Sequence, residues 1–354
     1  MERKKRHSTR YTSPTLSDVA RKAGVSPTAV SFVLNESGSR NKHVSEETRA
    51  KVLQAVQDLQ FRPDTLARTL GKGKSKEIIG IVDTSLTLSG AEIENSFQQQ
   101  ALLYGYTPVM YISQGLSLEQ REILYQSIFD RRPLALYVFP TTFTPEDVTR
   151  ARGTGIEHIF FFRYRPEPAE QTSSIVFPCF EMGQLAAQHL LMRGYRRLVL
   201  VRPDDPVHYT QGLAFQERLD GMRSVISTQA GVSLDILPLS LSPETARSWV
   251  EGLSVNPASL TGIYAFNDEY AMLLLGALQR CGITVPQEVG IIGTDNISAG
   301  SFFYPSLTTI SFDEIDIGKR AVDLFHTLYQ CLPLPEELTR ALVPRLIQRE
   351  STPG

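Results

Sequence analysis

The stretch Thr15-Leu-Ser-Asp-Val-Ala-Arg-Lys-Ala-Gly24-Val-Ser-Pro-Thr-Ala-Val30 decides how the N-terminal part of the chain folds. Thr15 and Asp18 have the spacing of a capping box, in which each side chain satisfies an amide of the other's turn. Leu16, Val19, Ala20 and Ala23 then follow helical spacing on one face. Gly24 predicts the stop, because only glycine enters the left-handed region without steric cost. Ser26-Pro27 opens a second helix with a cap and a proline at the first turn, where its missing N–H costs nothing. Its buried face is Ala29, Val30, Val33 and Leu34. Ala20, Gly24 and Val30 together describe a helix-turn-helix. A third helix begins at Ser45-Glu-Glu and packs through Val52, Val56 and Leu59. Three short helices of this kind predict a DNA-binding domain over residues 15–62.

Charge supports that reading. Residues 1–76 hold 16 Lys and Arg against 7 Asp and Glu, a net +9, while the remainder carries −11 within a total of −2. A basic head on an acidic body is expected of a nucleic-acid-binding module fused to a non-binding domain. Residues 1–14 read as a basic disordered arm. Residues 63–77 read as hinge and linker. Within them Asp64-Thr-Leu-Ala-Arg-Thr-Leu70 is helix-compatible but barely two turns long, too short to persist alone in water, and is expected to fold on DNA. Gly71-Lys-Gly-Lys-Ser75 is not a phosphate-binding loop: Arg68 stands where the first glycine is needed, and the strand follows rather than precedes.

From Ile78 the pattern alternates between strands and helices. Ile78–Val82, Thr107–Ile112, Leu134–Phe139, His158–Phe162, Leu198–Val201, Gly262–Phe266 and Val289–Ile292 read as strands, with helices closing on Gly105, Gly194 and Gly282. Continuous apolar strands between helices predict doubly wound parallel sheets, and their number requires two α/β subdomains. The N-subdomain is expected at about 78–173 plus 310–338, and the C-subdomain at about 174–309 plus 339–350. Such sheets bind ligands at the carboxyl ends of their strands, so the cleft between subdomains is the expected site.

Several classes are disfavoured. No apolar run spans a bilayer, and the basic start lacks a secretory h-region, so a cytoplasmic protein without membrane contact is expected. Cys179, Cys281 and Cys331 are too far apart for a zinc site or a disulfide framework and are expected in buried packing. The histidines show no metal spacing, so neither metal nor cofactor is expected. A dinucleotide enzyme would need a Gly-rich turn after its first strand, and no Gly-x-Ser-x-Gly nucleophile turn occurs. The chain is not expected to be an enzyme. An exported sugar-binding protein would lack the basic head.

The residues also carry a resemblance. Thr15–Ser26, Val30-Ser31, Val33-Leu-Asn35, Val44–Arg49, Phe61-Arg-Pro63 and Ala67-Arg-Thr-Leu70 resemble the LacI/GalR family of bacterial transcriptional regulators. So do His189–Tyr195, Phe266-Asn-Asp268, Val285–Val289, Gly293-Thr-Asp-Asn296, Leu307–Ile310 and Pro344–Ile347 with Arg349. The resemblance implies a periplasmic-binding-protein-like core and a homodimer or homotetramer on a near-palindromic double-stranded DNA operator. It also implies that a small-molecule effector, usually a sugar or nucleobase, alters DNA affinity. By the same resemblance Pro27, Thr28 and Phe32 match base-reading positions. Thr15, Ser26, Ser31 and Asn35 match backbone-anchoring ones, with Leu16 and His43 alongside. Leu70, after Ala67, matches a hinge wedge in the minor groove. Pro27 and Phe32 have no side-chain donors for base edges, which leaves Thr28, thymine-methyl contacts and DNA shape. Arg40 and Lys42, in a loop longer than usual, add candidate phosphate contacts.

In the cleft, Asp295, Asn267 and Arg218 match family ligand contacts, Asp295 as acceptor and the other two as donors. Ser89-Gly90 and Leu241 stand where relatives often carry aromatics, which argues against a flat nucleobase. Arg163 stands where an acid is usual. Either Arg163 and Arg218 together accept an anionic group, or Arg163 pairs with Asp295 or another carboxylate. The expected ligand is a sugar or sugar derivative, with an anionic one favoured.

Overall fold

A computed structural model describes residues 14–34, 44–61, 75–82, 87–113, 115–138, 143–165, 174–204, 209–253, 260–312 and 316–354. The chain divides into two compact units, Met1–Ser75 and Lys76–Gly354.

In the first unit α1 (Leu16–Ala23), α2 (Pro27–Leu34) and α3 (Glu46–Asp58) form the expected three helices. The capping box is present: the Thr15 amide donates to Asp18 Oδ2 at 2.9 Å and the Asp18 amide returns to Thr15 Oγ1 at 3.3 Å. Gly24 ends α1 at φ 67°. Ser26 Oγ accepts from the Ala29 amide and Ser45 Oγ from the Thr48 amide, both at 3.2 Å, starting α2 and α3. Val19, Ala20, Val30, Val33, Val52, Ala55 and Phe61 make a small core, with Leu16, Val56 and Leu59 at its edge.

The second unit contains two sheets. The first is ordered β2-β1-β3-β4-β5 and is parallel throughout. Its strands are β1 (Glu77–Val82), β2 (Thr107–Ile112), β3 (Ala135–Val138), β4 (His158–Arg163) and β5 (Ser174–Val176). Helices α4 (Leu88–Leu103), α5 (Leu118–Arg131) and α6 (Pro145–Gly153) join them. The second is ordered β11-β10-β9-β8-β6-β7. It contains β6 (Arg197–Pro203), β7 (Ser233–Leu239), β8 (Thr261–Tyr264), β9 (Val289–Thr294), β10 (Thr308–Phe312) and β11 (Pro344–Ile347). Only β11 is antiparallel to its neighbour among these strands. Helices α7 (Cys179–Met192), α8 (Tyr209–Ile226), α9 (Pro243–Glu251) and α10 (Asp268–Arg280) flank this sheet. Helix α11 (Ile317–Tyr329) returns to the first lobe and packs on α4 so closely that a Cβ on Gly318 would lie 2.1 Å from the Ile93 carbonyl oxygen. A short helix, α12 (Glu336–Thr339), leads back to β11.

Gly105, Gly194 and Gly282 follow the ends of α4, α7 and α10 with φ of 74°, 89° and 74°, as the sequence predicts. The lobe boundaries move by a few residues. β5 hydrogen-bonds to β4, so the first lobe's sheet runs to Val176, and β10 stays in the second sheet through Phe312. The crossovers meet there, with the Phe177 and Phe312 rings 5.8 Å apart. The cysteines do not share one environment: Cys179 is buried, but Cys281 is half-buried and Cys331 is exposed. The last of these follows α11 at φ 53°, a tight turn that keeps its side chain out of the core.

Candidate nucleic-acid interface and ligand cleft

On the head, helix α2 divides its residues cleanly. Val30 and Val33 face the core, while Pro27, Thr28 and Phe32 face out. Phe32 is 37% exposed, a large apolar ring on a solvent-facing helix surface. Thr15 and Ser26 are exposed and engaged as caps, Leu16 is half-buried, and Ser31 is half-buried with its own polar partner. Asn35, Arg40, Lys42, His43, Ala67 and Leu70 lie outside the described residues.

In the core, the lobes meet where β1 and β9 end. Thr87 caps α4 by accepting from the Gly90 amide at 3.1 Å, which places Ser89 in the helix's first turn. From there Ser89 Oγ donates to Asp295 Oδ2 at 3.0 Å, a bridge between the lobes. Asp295 follows β9 at φ 101° and Asn296 at φ 56°, conformations that non-glycine residues adopt at a cost. Surrounding bonds hold them there. The Asp295 amide donates to the Ile310 carbonyl at 2.9 Å, and Arg349 donates to Asn296 Oδ1 at 2.7 Å. The Ile297 amide donates to Asp268 Oδ2 at 2.9 Å. Burial raises the Asp295 pKa, Arg218 and the Ser89 hydroxyl lower it, and Glu269 and Glu92 push it up again.

Arg218, on α8, is buried. It donates to the Phe266 carbonyl and lies over the Phe266 ring at 4.6 Å and the Tyr264 ring at 5.8 Å. Its Nε finds no acceptor among the described residues. A buried donor without a partner costs about 1–3 kcal/mol, so it is a feature to be explained by a ligand or water.

The structure also places three further cleft candidates. Asn267 caps α10: its Oδ1 accepts from the Tyr270 amide at 3.1 Å and its Nδ2 donates to Glu269 at 3.1 Å, so its polar groups are already engaged. Arg163 lies over the Phe161 ring at 4.7 Å, and the cation acting on Asp295 is Arg218. Leu241 is 55% exposed beyond β7, the outermost strand, and so forms no closed wall. Sequence reading missed Asp268, which is buried and accepts from Thr309 Oγ1 at 2.6 Å as well as from Ile297. A Cβ on Gly293 would sit 2.0 Å from its Oδ1, so the Gly293 motif position is the signal that a neighbour fills that space.

A helix-turn-helix head and a two-lobed core with polar groups gathered between the lobes define the class of DNA-binding regulators built on a ligand-binding core. Residues 15–64 match the bacterial regulatory proteins of the lacI family, and residues 187–352 match the periplasmic binding protein-like domain. The chain thus carries a LacI-family helix-turn-helix domain and a periplasmic-binding-protein-like domain. It is 29% identical to the HTH-type transcriptional repressor PurR of Vibrio parahaemolyticus over 313 residues, 88% of this chain and 90% of that protein. The PurR of Edwardsiella ictaluri is 27% identical over 95% of this chain and 96% of its own. Among solved structures, the Lac repressor dimer bound to operator and the anti-inducer ONPF superposes with a TM-score of 0.74 at 22% identity, covering 96% of this chain and 99% of that one. A LacI-family regulator from Silicibacter pomeroyi reaches 0.77 at 20% identity, with 96% and 99% coverage. These structures share the fold. No helix among the described residues is long and apolar enough to cross a membrane.

Proposed function

We propose that this regulator is a cytoplasmic repressor that binds a near-palindromic operator as a homodimer or homotetramer. A sugar-like effector between the lobes tunes its operator affinity. One observation carries the effector half: buried Arg218 Nε has no acceptor among the described residues, and the carboxylate that Arg218 acts on, Asp295, is held by a single serine hydroxyl from the other lobe. A ligand rich in hydroxyls donates to Asp295 in place of Ser89 and accepts from Arg218. Asn267, by capping α10, positions the floor beside them rather than reaching for the ligand. An acidic substituent would meet Arg218 and Arg163, offset by Glu269 and Glu92 near Asp295. Structural neighbours solved with cellobiose and with ribose support a sugar, and the repressor names of the relatives support repression.

On the head, Pro27, Thr28 and Phe32 face the bases. Thr15, Leu16, Ser26 and Ser31, with Asn35, Arg40, Lys42 and His43 further along the chain, take the backbone. Ala67 and Leu70 serve the minor groove. The exposed Phe32 supports apolar contact with thymine methyls.

Selection of DNA from a random pool by the full chain, followed by calorimetry against neutral sugars, sugar acids, sugar phosphates and nucleobases, tests both halves. A two-fold symmetric site is expected, along with sugar binding that Asp295→Asn and Arg218→Gln abolish. Recovery of no preferred DNA would defeat the first half. Tight purine binding, or sugar binding indifferent to both substitutions, would defeat the second.

A further inference from the structure

The lobes are joined at a second place that the effector contacts do not use. Arg165, two residues beyond β4 of the first lobe, donates through Nε to Glu217 on α8 of the second lobe, and its Nη2 lies 3.7 Å from Asp220 Oδ2. Glu217 is 10% exposed and Arg165 is 68% exposed, so an exposed cation from one lobe covers a nearly buried carboxylate of the other.

Topology places this pair relative to the cleft. In the first sheet, β1, which leads into Ser89, and β4, which leads into Arg165, are separated by β3. In the second sheet, β9, which leads into Asp295, and β6, which leads into α8, are separated by β8. Glu217 neighbours Arg218 on α8, so the ion pair stands beside the effector contacts. The Ser89–Asp295 bridge occupies an effector contact and is replaceable by ligand. The Arg165 bridge uses neither Ser89 nor Asp295.

We propose that Arg165 with Glu217 and Asp220 is an interlobe clasp that holds the core closed in the absence of effector, and so sets how strongly the closed arrangement is populated before ligand arrives. Separating the lobes leaves Glu217 without its cation, whereas closing them neutralises it. Neither Ser89–Asp295 nor the Phe177–Phe312 contact has this dependence on charge. The consequence for effector response rests on the regulator reading above: a less populated closed form raises the effector concentration needed.

The test needs neither effector nor DNA. Full-length chain with Cys281→Ser and Cys331→Ser, spin-labelled through Leu118→Cys in the first lobe and Arg247→Cys in the second, is diluted into unlabelled protein so that one labelled copy is read per assembly. Pulsed dipolar spectroscopy then gives the interlobe distance distribution. Arg165→Ala is expected to lower the closed-to-open ratio about two- to fivefold, as is usual for an ion pair with one exposed partner. Glu217→Gln should do the same, and roughly 0.5 M salt should shift the parent protein but not Arg165→Ala. Distributions for Arg165→Ala that overlay the parent at low salt would overturn the clasp. So would opening by Arg165→Ala that Glu217→Gln does not reproduce. Thermal melts establish that each variant is folded, and DNA binding, assayed separately, reports on the regulator reading alone.

Discussion

Two buried side chains of the second lobe titrate in opposite senses. Burial pushes the Asp268 carboxyl up to about 7, with Thr309 pulling it back and Asp295 adding to the rise. Burial likewise pushes His189, bonded to Thr352 Oγ1 at 2.9 Å, down to about 4, with Arg193 assisting. The folded pKa of Asp268 lies above its unfolded value of about 3.9, so the folded state holds the extra proton and stability is lost as pH rises from about 4 through about 7. The folded pKa of His189 lies below its unfolded value of about 6.5, so stability is lost as pH falls from about 6.5 to about 4. Each slope amounts to an order of a few kcal/mol, and in the shared window they oppose one another. Denaturant unfolding of the core at roughly pH 4.5, 5.5 and 6.5 should therefore be nearly flat for these two groups together. Asp268→Asn should expose a loss towards acid, and His189→Gln a loss towards neutrality. Parallel profiles for both variants and the parent would refute the opposed pair.

At the scale of elements, the closest approach in the core is between α7 and α8. A Cβ on Gly183 would lie 2.1 Å from the Arg218 carbonyl oxygen, and one on Gly221 would lie 2.0 Å from that of Phe180. Alanine normally stabilises a helix interior by up to about 1 kcal/mol over glycine. Here backbone, not a flexible side chain, blocks the methyl, and overpacking of about 1–3 kcal/mol wins. Gly183→Ala should lower the melting temperature and, by shifting α8, weaken any ligand that needs Arg218; a raised melting temperature would show that the helices separate freely. In the head, Thr15→Ala should cost about 1 kcal/mol through loss of the capping box, whereas Phe32→Ala, on an exposed face, should leave stability within about 0.5 kcal/mol. Chemical denaturation of both variants reads the difference. Caps, glycine stops and long apolar strands were legible because each is local: β1, β2, β3, β4, β6, β8 and β9 announce themselves as apolar runs. β7 escaped notice as an outermost strand with alternating exposure and Pro238, and β5 and β11 are only three and four residues long. β10 is masked by its two threonines, which spend their hydroxyls on Asp268 and the C-terminal tail. Of the candidate site, the resemblance brought Asp295 and Arg218 into view, and the structure shows what each touches. Asn267's work as a cap and Asp268's role as a buried acceptor depend on which amides fold back to them, which no spacing encodes.

Across the whole molecule, charge and closure are divided between the two units. The +9 of residues 1–76 predicts operator affinity that falls with salt at about −0.9 in log K per log salt for each phosphate neutralised. A slope near zero would mean that the basic residues do not engage the backbone. In the function proposed above, the core contributes the balance between lobe arrangements, and Ser89 bridges the lobes. Ser89→Ala removes the hydroxyl that bridges to Asp295, so the free core is less closed before ligand arrives. A ligand that contacts both lobes then has further to shift the equilibrium, and linkage makes its effect on operator affinity equal to the operator's effect on its own binding. One net hydrogen bond corresponds to a shift of about two- to tenfold. The ratio of operator affinities with and without saturating sugar should therefore widen by about that factor in Ser89→Ala, while the melting temperature of the head is unchanged. Measuring the ratio by fluorescence anisotropy on labelled operator, and the reciprocal ratio by calorimetry with operator present and absent, checks the prediction twice. A ratio that stays the same or narrows would place Ser89 outside the switch and leave its bridge to Asp295 a packing contact.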